Sequence, residues 1–205
     1  MKFIYFSILI SLFSCSKKSS NYVLKGTIYD SSLNSLLANA SISLYKQLPG
    51  NSYETLISST TSDSDGNYSF NFGRDKSEKY TIKISKVNYF SIDEIITVAS
   101  LSVGTENNRN YSLSAKSWVK LHFKNIDPHP EDIFRFMKQQ GKVNCTECCP
   151  SSYQYLYGEK DTSIYCTNDG NTTYSYIYAV IGTTNQDIKS VITPPFDTTE
   201  LYLEY

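Results

Sequence analysis

The stretch TSDSDGNYSFNF, residues 61–72, decides the fold, because it joins a tight turn to a strand with two unlike faces. The Gly66-Asn67 pair tolerates the positive φ angles that hairpin turns require. After the turn, Tyr68, Phe70 and Phe72 alternate with small polar residues, so they fall on one face of a strand. This pattern is typical of an antiparallel sheet that covers a core with one face and meets solvent with the other.

Similar strands are predicted on both sides of this hairpin. The segments ASISLYK (40–46) and YTIKISK (80–86) alternate in the same way. Gly26 lies inside the first candidate strand, where it indicates a bulge or a close approach of another backbone. The remaining candidate strands cover residues 22–30, 53–61, 92–98 and 111–113. About seven short strands at this spacing favour a β-sandwich over residues 21–115.

Four segments of this region resemble the carboxypeptidase regulatory-like domain, a family with a transthyretin-like (prealbumin-like) β-sandwich. The hairpin with the pattern Thr-x-Asp-x-Asp-Gly-x-Tyr-x-Phe carries most of the resemblance, and the segments are residues 26–30, 38–44, 61–70 and 80–89. The resemblance implies an accessory β-module of the kind found beside enzymes, receptors and surface proteins. It implies no catalytic residue, so it predicts a fold and not an activity.

The acids of the hairpin also suggest a calcium loop, since Asp63 and Asp65 offer the oxygen ligands that calcium prefers. A complete loop needs an acid at its twelfth position, which is occupied here by Arg74. We therefore expect a hairpin turn whose side chains cap the backbone, and no metal.

The segment 116–205 predicts a second β-rich domain, for which a β-sandwich is the natural architecture. WVKLHFK (118–124) is a clear alternating strand. Residues 131–140 are ambiguous, because Pro130 and Gly141 resemble helix start and stop signals, yet the aromatic residues alternate as in a strand. We favour a strand, since the surrounding segments are all β. Later strands are predicted at 153–157, 163–167, 173–181, 187–192 and 200–204.

Four cysteines lie in this second segment: Cys145, Cys148, Cys149 and Cys166. The N-terminus, described below, predicts export to an oxidising compartment, so two disulfides are expected. Four cysteines allow three connectivities, and we expect Cys166 to join the 145–149 loop to the following strand while the other two cysteines close locally. A zinc site of four thiolates is the alternative. It lacks a second Cys-x-x-Cys pair, so we favour disulfides.

Tyrosine alternates with other residues in two places, Tyr153, Tyr155 and Tyr157, and then Tyr174, Tyr176 and Tyr178. Each trio falls on one face of a strand. If exposed, the two rows are candidate ligand-binding residues for glycans or peptides. If packed, they are ordinary cross-strand pairs, which is the interpretation that the strand propensity of tyrosine favours.

The N-terminus has the pattern of an export signal. The apolar run over 3–13 spans about 11 residues, which is too short for a membrane-spanning helix of about 20 residues. The run ends in Leu12-Phe13-Ser14-Cys15, which resembles the signal of the bacterial lipoprotein family. The resemblance implies removal of residues 1–14, lipidation of Cys15 and a lipidated tether over 15–20. An ordinary signal peptide with an incidental cysteine is the alternative.

On analogy with better-known lipoproteins, Ser16 implies sorting to the cell outer membrane, with the periplasmic or external orientation left open. The membrane is thus the first predicted partner, contacted through the lipid. A second partner is expected to be an envelope protein or a glycan. The 205 residues include 19 Lys and Arg against 20 Asp and Glu, which excludes the strongly basic surface of a nucleic-acid-binding protein.

The sequence has no catalytic motif that we recognise. His122 and His129 are its two histidines, and no nucleophile elbow, phosphate loop or His-Glu-x-x-His pattern accompanies them. We therefore expect no enzyme and no cofactor. The predicted function is that of a non-catalytic envelope lipoprotein that binds or scaffolds a partner. The alternative is a glycan- or peptide-binding lipoprotein that uses the tyrosine rows, and a metal protein or enzyme comes third.

Overall fold

The computed structural model describes residues 21–205, whose regular structure consists of β-strands and one short 3₁₀ helix at Val98–Ser100. The all-β fold class predicted from the sequence is confirmed. The predicted signal peptide (1–14), the tether (15–20) and the lipidation site Cys15 lie outside the described residues. Within residues 21–205, no helix is both long and apolar enough to cross a membrane.

The first half of the described chain folds into two facing sheets. One sheet has the order β2-β1-β5, with β8 and β9 pairing in parallel with β1, and the other has the order β4-β3-β6-β7. The strands are β1 (Asn21–Asp30), β2 (Ser35–Leu36), β3 (Ser41–Gln47), β4 (Thr55–Thr61), β5 (Asn67–Gly73), β6 (Lys79–Ser85), β7 (Ile92–Thr97), β8 (Glu106–Asn108) and β9 (Tyr111–Leu113).

The core of this first sandwich consists of the inward residues of both sheets. In β5, Tyr68, Phe70 and Phe72 are buried while the residues between them are exposed, as the opening stretch of the sequence predicts. Facing them are the aliphatic residues of β3 and β6, including Ile42, Leu44, Ile82 and Ile84.

Gly26 marks the place where a second backbone presses against β1. A Cβ atom on this residue would lie 1.7 Å from the carbonyl oxygen of Arg109. Next to it, the side-chain oxygen of Asn110 accepts a hydrogen bond from the amide of Thr27 at 2.9 Å. The close backbone approach predicted at Gly26 is therefore present, between the pairing of β1 with β8 and its pairing with β9.

The hairpin before β5 is a capped turn. One carboxylate oxygen of Asp63 accepts hydrogen bonds from the backbone amides of Asp65 and Asn67 at 2.9 and 2.7 Å. Gly66 adopts a φ of 71°, which costs glycine little. This geometry is the one that the turn interpretation predicts.

The second half of the chain forms another pair of sheets. Their orders are β13-β10-β16, where β10 and β16 are parallel, and β12-β11-β14-β15, which is antiparallel throughout. The strands are β10 (Lys116–Lys124), β11 (Ile133–Gln140), β12 (Gln154–Tyr157), β13 (Asp161–Asp169), β14 (Thr172–Val180), β15 (Gln186–Thr193) and β16 (Thr198–Glu204).

A separate core lies between these two sheets. Its centre is Phe123, whose ring centroid lies 4.8 Å from that of Phe134 and 4.7 Å from that of Phe136. The ambiguous segment 131–140 thus contains a strand, Ile133–Gln140, whose residues from Ile133 to Lys138 alternate between this core and the outside. The first core ends at Ala115 and the second begins at Val119, while the domain limits predicted at 21–115 and 116–205 stay a prediction.

Candidate functional site

The two tyrosine rows lie on opposite faces of the same four-stranded sheet. Tyr174, Tyr176 and Tyr178 on β14 point into the second core and are at most 6 % exposed. Tyr176 packs against Phe123 and Phe136, Tyr178 packs against Phe134, and Tyr174 donates a hydrogen bond to the sulfur of Cys166. The packed interpretation describes this row, so these three residues have no exposed surface to support the ligand-binding role predicted for them.

The other row is exposed. Tyr153, Tyr155 and Tyr157 are 44, 47 and 57 % exposed, so the packed interpretation fails for this row. Consecutive ring centroids are 6.4 Å apart, and the rings of Tyr155 and Tyr157 are within 19° of parallel. The row remains a candidate binding site.

Strand parity explains why this row faces outward. On β12, Leu156 pairs with Phe134 of β11 and turns its side chain toward the core. Since successive side chains of a strand point to opposite faces, Tyr155 and Tyr157 must point away from it. Tyr155 pairs with Arg135, which also faces outward.

The tyrosines belong to a larger apolar face. On the neighbouring strands, the outward residues of the same register rows include Ile177, Ala179 and Ile188, and Ile188 is 55 % exposed. We call this surface the tyrosine face and define it by Ile133, Arg135, Met137, Tyr153, Tyr155, Tyr157, Ile177, Ala179 and Ile188.

The opposite sheet of the same sandwich has an outer face that mixes charged and aromatic side chains, and Tyr165 and Tyr202 on it are 63 and 48 % exposed. There the amine of Lys120 lies 3.0 Å from a carboxylate oxygen of Glu200, and further charges come from Lys124, Asp161 and Glu204. A polar outer face is the ordinary arrangement for an antiparallel sheet beside solvent. The tyrosine face departs from it because Arg135 is its one charged member, and exposed apolar patches of this kind mark interaction sites.

Arg135 occupies the middle of the tyrosine face. Its guanidinium lies 5.1 Å from the ring centroid of Tyr153, within the range of a cation–π contact. Beside it is a hollow of about 40 Å³, whose wall includes Ala179 and Gln186. The small side chain of Ala179, paired with Arg135 across β11 and β14, leaves this space open.

The cysteines form two disulfides, one between Cys145 and Cys148 and one between Cys149 and Cys166. Disulfide bonding is thus confirmed, and Cys166 of β13 joins the 145–149 loop as expected. Lys138 holds the same loop, since its amine donates hydrogen bonds to the carbonyl oxygens of Lys142 and Cys149 at 2.6 and 2.5 Å. Burial lowers the pKa of Lys138. The two disulfides and the hydrogen bonds of this lysine thus fix the loop next to the sheet that contains β11.

His122 is held between two carboxylates. Its Nε2 lies 2.7 Å from Asp161 and its Nδ1 lies 2.9 Å from Glu200, and these two hydrogen bonds raise the pKa of His122. With both ring nitrogens engaged, the imidazole has no free nitrogen to accept a proton from a nucleophile. His129 lies elsewhere, with its Nδ1 3.9 Å from Asp132. In the part of the chain that the structure describes, no group of three or more potential metal-ligating side chains comes together.

A polar groove of about 750 Å³ lies on the first sandwich, and its wall includes Asp63 of the capped turn but none of the tyrosines predicted as binding residues. Asn108, Asn110 and Ser69 line it with amides and a hydroxyl. The amine of Lys25, also in the wall, lies 2.6 Å from a carboxylate oxygen of Glu106 and is thus neutralised. The groove has the character of an ordinary solvated surface, so we take the tyrosine face as the candidate site.

Comparison with known proteins finds no matching family model and no matching curated protein. Solved structures that the chain is similar to include the Bacillus anthracis TIE protein, with 14% identity, a TM-score of 0.38, and coverage of 90% of this chain and 34% of that one. A streptococcal ancillary pilin has 10% identity, a TM-score of 0.37 and coverage of 90% and 62%.

The minor pilin GBS52 of Streptococcus agalactiae has 12% identity, a TM-score of 0.36, and coverage of 89% of this chain and 94% of that one. The chain spans about a third of the length of the TIE protein and about three fifths of two dioxygenases that are also similar in structure. These are likenesses among β-rich structures, and no functional conclusion follows from them.

Proposed function

We propose that this chain is a non-catalytic, lipid-anchored binding module of a cell envelope, which holds a partner through the tyrosine face. The observation that carries the proposal is that the exposed tyrosines of β12 and Ile188 share the tyrosine face with a single charged residue, Arg135, whereas the exposed tyrosines of the opposite sheet stand among charged residues. A solvent-facing sheet has no structural need for so many apolar side chains. A binding role supplies a reason for them.

The composition of the tyrosine face supports a binding role. Binding interfaces are enriched in tyrosine, methionine and arginine and depleted of lysine and acidic residues in their centres. The face carries three tyrosines, Met137 and Arg135, and none of its members is a lysine, an aspartate or a glutamate. Tyrosine also offers a large contact area for little loss of conformational entropy.

The anchor is proposed from the sequence alone. Lipidation of Cys15 by two or more acyl chains would hold the protein stably at the outer membrane, since each buried methylene contributes about 0.8 kcal/mol. Intact mass of the protein purified from membranes tests this part. A chain that begins at Cys15 and carries the added mass of acyl groups is expected, and an unacylated N-terminus contradicts the proposal.

Site-specific photocrosslinking in the producing cell tests the binding face. A photoreactive phenylalanine analogue replaces Tyr155 in one variant and Tyr165 in another. Tyr165 is the matched control, because it is 63 % exposed on the outer face of the opposite sheet. We expect a discrete covalent adduct from position 155 and none from position 165. Equal crosslinking from both positions, or none from either, contradicts a binding role for the tyrosine face.

A glycan ligand is the second candidate, and the exposed rings of the tyrosine row favour it specifically. Aromatic rings present apolar faces and polar hydroxyls together, which suits ligands that are apolar on one side and wet on the other. Isothermal titration with defined neutral and acidic oligosaccharides tests this candidate. Binding that disappears in Tyr155→Ala but persists in Tyr165→Ala would establish it.

A further inference from the structure

Arg135 is the one charged member of the tyrosine face as defined above. Among residues 21–205, its guanidinium takes part in no salt bridge and lies over the ring of Tyr153. On the opposite sheet, by comparison, Lys120 is paired with Glu200. What distinguishes Arg135 is that its unpaired guanidinium stands among apolar side chains.

The neighbours of Arg135 hold the guanidinium in place and leave room beside it. Tyr155 pairs with it on one side, and Ala179 pairs with it on the other. The hollow of about 40 Å³ next to it has the side-chain amide of Gln186 in its wall. A carboxylate entering this hollow could accept hydrogen bonds from both the guanidinium and the amide, because arginine presents its donors in a fixed fork.

Covering the tyrosine face with an apolar partner would remove Arg135 from water. A buried charge without a counter-charge is strongly unfavourable, so a partner that covers the face must bring an anionic group to this point. Charge complementarity therefore requires an acid in the middle of the contact.

The strand order determines what must surround that acid. In the order β12-β11-β14-β15, the tyrosines lie on one side of Arg135, and Ile177 and Ile188 lie on the other. The hydroxyls of a sugar chain would lose water against these aliphatic side chains without gaining partners. The apolar side chains of a polypeptide, in contrast, could pack against the tyrosines on one side of Arg135 and against the isoleucines on the other.

The distances also suit a short polypeptide. Four strands about 4.8 Å apart span about 14 Å, which about five residues of extended chain at 3.3 Å each would cross.

We propose that the tyrosine face binds a polypeptide segment that places a carboxylate on Arg135, with an aromatic or aliphatic side chain on each side of that acid. This inference rests on the proposed binding role of the face and specifies its ligand class. Tyrosine and arginine would be the anchors of the contact, as they are in many interfaces.

Selection from a phage-displayed library of random heptapeptides against the purified full-length protein tests the inference. We expect enriched peptides to carry Asp or Glu flanked by apolar residues. A labelled peptide from this set should bind at least tenfold more weakly to Arg135→Gln and to Tyr155→Ala, measured by fluorescence anisotropy. Arg74→Gln and Tyr165→Ala are the matched controls, since both residues are exposed outside the face, and binding to them should be unchanged.

A double-mutant cycle identifies the contact itself. Replacing the acid of the peptide by its amide should weaken binding to the wild-type protein as much as Arg135→Gln does. Combining both changes should cost little more than either alone, because each removes the same interaction.

Two results would overturn the inference, and they differ from failure of the proposed function. Peptides that lack an acid, or that bind Arg135→Gln as well as the wild type, exclude the carboxylate contact. An oligogalacturonate that binds through Arg135 while acidic peptides do not would change the ligand class to an acidic glycan and leave the binding role intact.

If no library peptide and no oligosaccharide binds and Tyr155 yields no crosslink in cells, both the inference and the proposed function fail.

Discussion

At the scale of single residues, the second core contains a tyrosine hydroxyl without a partner. Tyr176 is 0 % exposed, and its hydroxyl has no hydrogen-bond partner among the described residues. Burial raises the pKa of this phenol, so the group stays neutral. A buried polar group without a partner opposes folding, because it gives up water and gains nothing in exchange.

Removing this hydroxyl should therefore leave the protein at least as stable as before. We expect Tyr176→Phe to change the free energy of unfolding by between 0 and about +1 kcal/mol. The matched control is Tyr89→Phe, whose hydroxyl donates to Asp30 at 2.7 Å in a buried site. That variant should lose about 1.5–3 kcal/mol, because the acceptor is charged. Urea denaturation measures both, and a large loss in Tyr176→Phe would reveal a partner for its hydroxyl.

His122 is a residue whose protonation should affect stability. A hydrogen bond to Asp161, and to a smaller extent one to Glu200, raises the pKa of His122 in the folded protein above the unfolded value of about 6.5. The stabilising contribution is thus fully present below about pH 6.5 and is lost as the pH rises through the folded pKa. The same contacts lower the pKa of Asp161 and of Glu200, so their contributions are lost instead as the pH falls into the acidic range.

The expected result concerns the difference between wild type and His122→Gln. The urea midpoint of the wild type should exceed that of the variant near pH 6, and the gap should close toward pH 9. An NMR titration of the His122 ring should show a midpoint above that of an unfolded peptide. A gap that stays constant between pH 6 and 9 would show that protonation of His122 is not linked to folding.

At the scale of elements, the two tyrosine rows show that a motif does not determine exposure. Both rows alternate in the same way, yet β14 lies inside its sheet with tyrosines inward, whereas β12 is an edge strand with tyrosines outward. The residues between the tyrosines determine which face of each strand is turned to the core. Leu156 is the apolar residue that β12 turns to the core, while the tyrosines of β14 fill the space around Phe123.

The two disulfides should contribute unequally to stability. Cys149 and Cys166 are separated by 17 positions and join the loop to β13, whereas Cys145 and Cys148 are separated by 3. Because a longer closed loop restricts the unfolded chain more, replacing the Cys149–Cys166 pair by alanines should cost about 3 kcal/mol or more. The buried position of Cys166 adds a packing loss.

Replacing the Cys145–Cys148 pair by alanines is the matched comparison. We expect a loss of about 1–2 kcal/mol, since the loop it closes is short. Guanidinium denaturation of both double variants measures the difference. Equal losses would mean that strain or local packing, and not loop closure, determines what each bridge contributes.

At the scale of the whole molecule, the two sandwiches touch through a compact contact. The ring of Phe196, in the turn before β16, lies 5.4 Å from that of Tyr89 in the first sandwich. Backbone hydrogen bonds reinforce it, including one from Gly170 to Ala115 at 2.8 Å. A side chain also joins the two sandwiches, since the side-chain amide of Asn171 donates a hydrogen bond to the backbone carbonyl of Ser32 at 2.7 Å.

This contact should couple the unfolding of the two halves. We expect Phe196→Ala to weaken the interaction free energy between the two sandwiches by about 1 kcal/mol, because an aromatic pair contributes about 0.5–1.5 kcal/mol beyond its buried area. In calorimetry, the wild type should unfold in one transition and the variant in a broadened or split one. Tyr53→Ala is the control, since Tyr53 is 64 % exposed on the first sandwich. If the variant keeps the sharp wild-type transition, the halves are coupled by other contacts.

The sequence by itself determined the all-β class and the place of most strands, and it led us to expect the bridge between Cys166 and the 145–149 loop without fixing the connectivity. Alternation along a strand is a local property, so residues 61–72 already show which side of β5 is buried. The short strands β2 and β8 escaped prediction, because two or three residues are too few to show a period.

Only the tertiary structure decided which tyrosine row meets solvent and that Arg135 stands among apolar residues. Alternation tells which residues share a face of a strand but not which face the sheet turns to its partner. That choice is made when two sheets pack, where volume and shape count as much as polarity. The candidate site was therefore half visible in the sequence: its tyrosines were apparent, while the isoleucines and the arginine beside them come from strands that meet only in the folded protein.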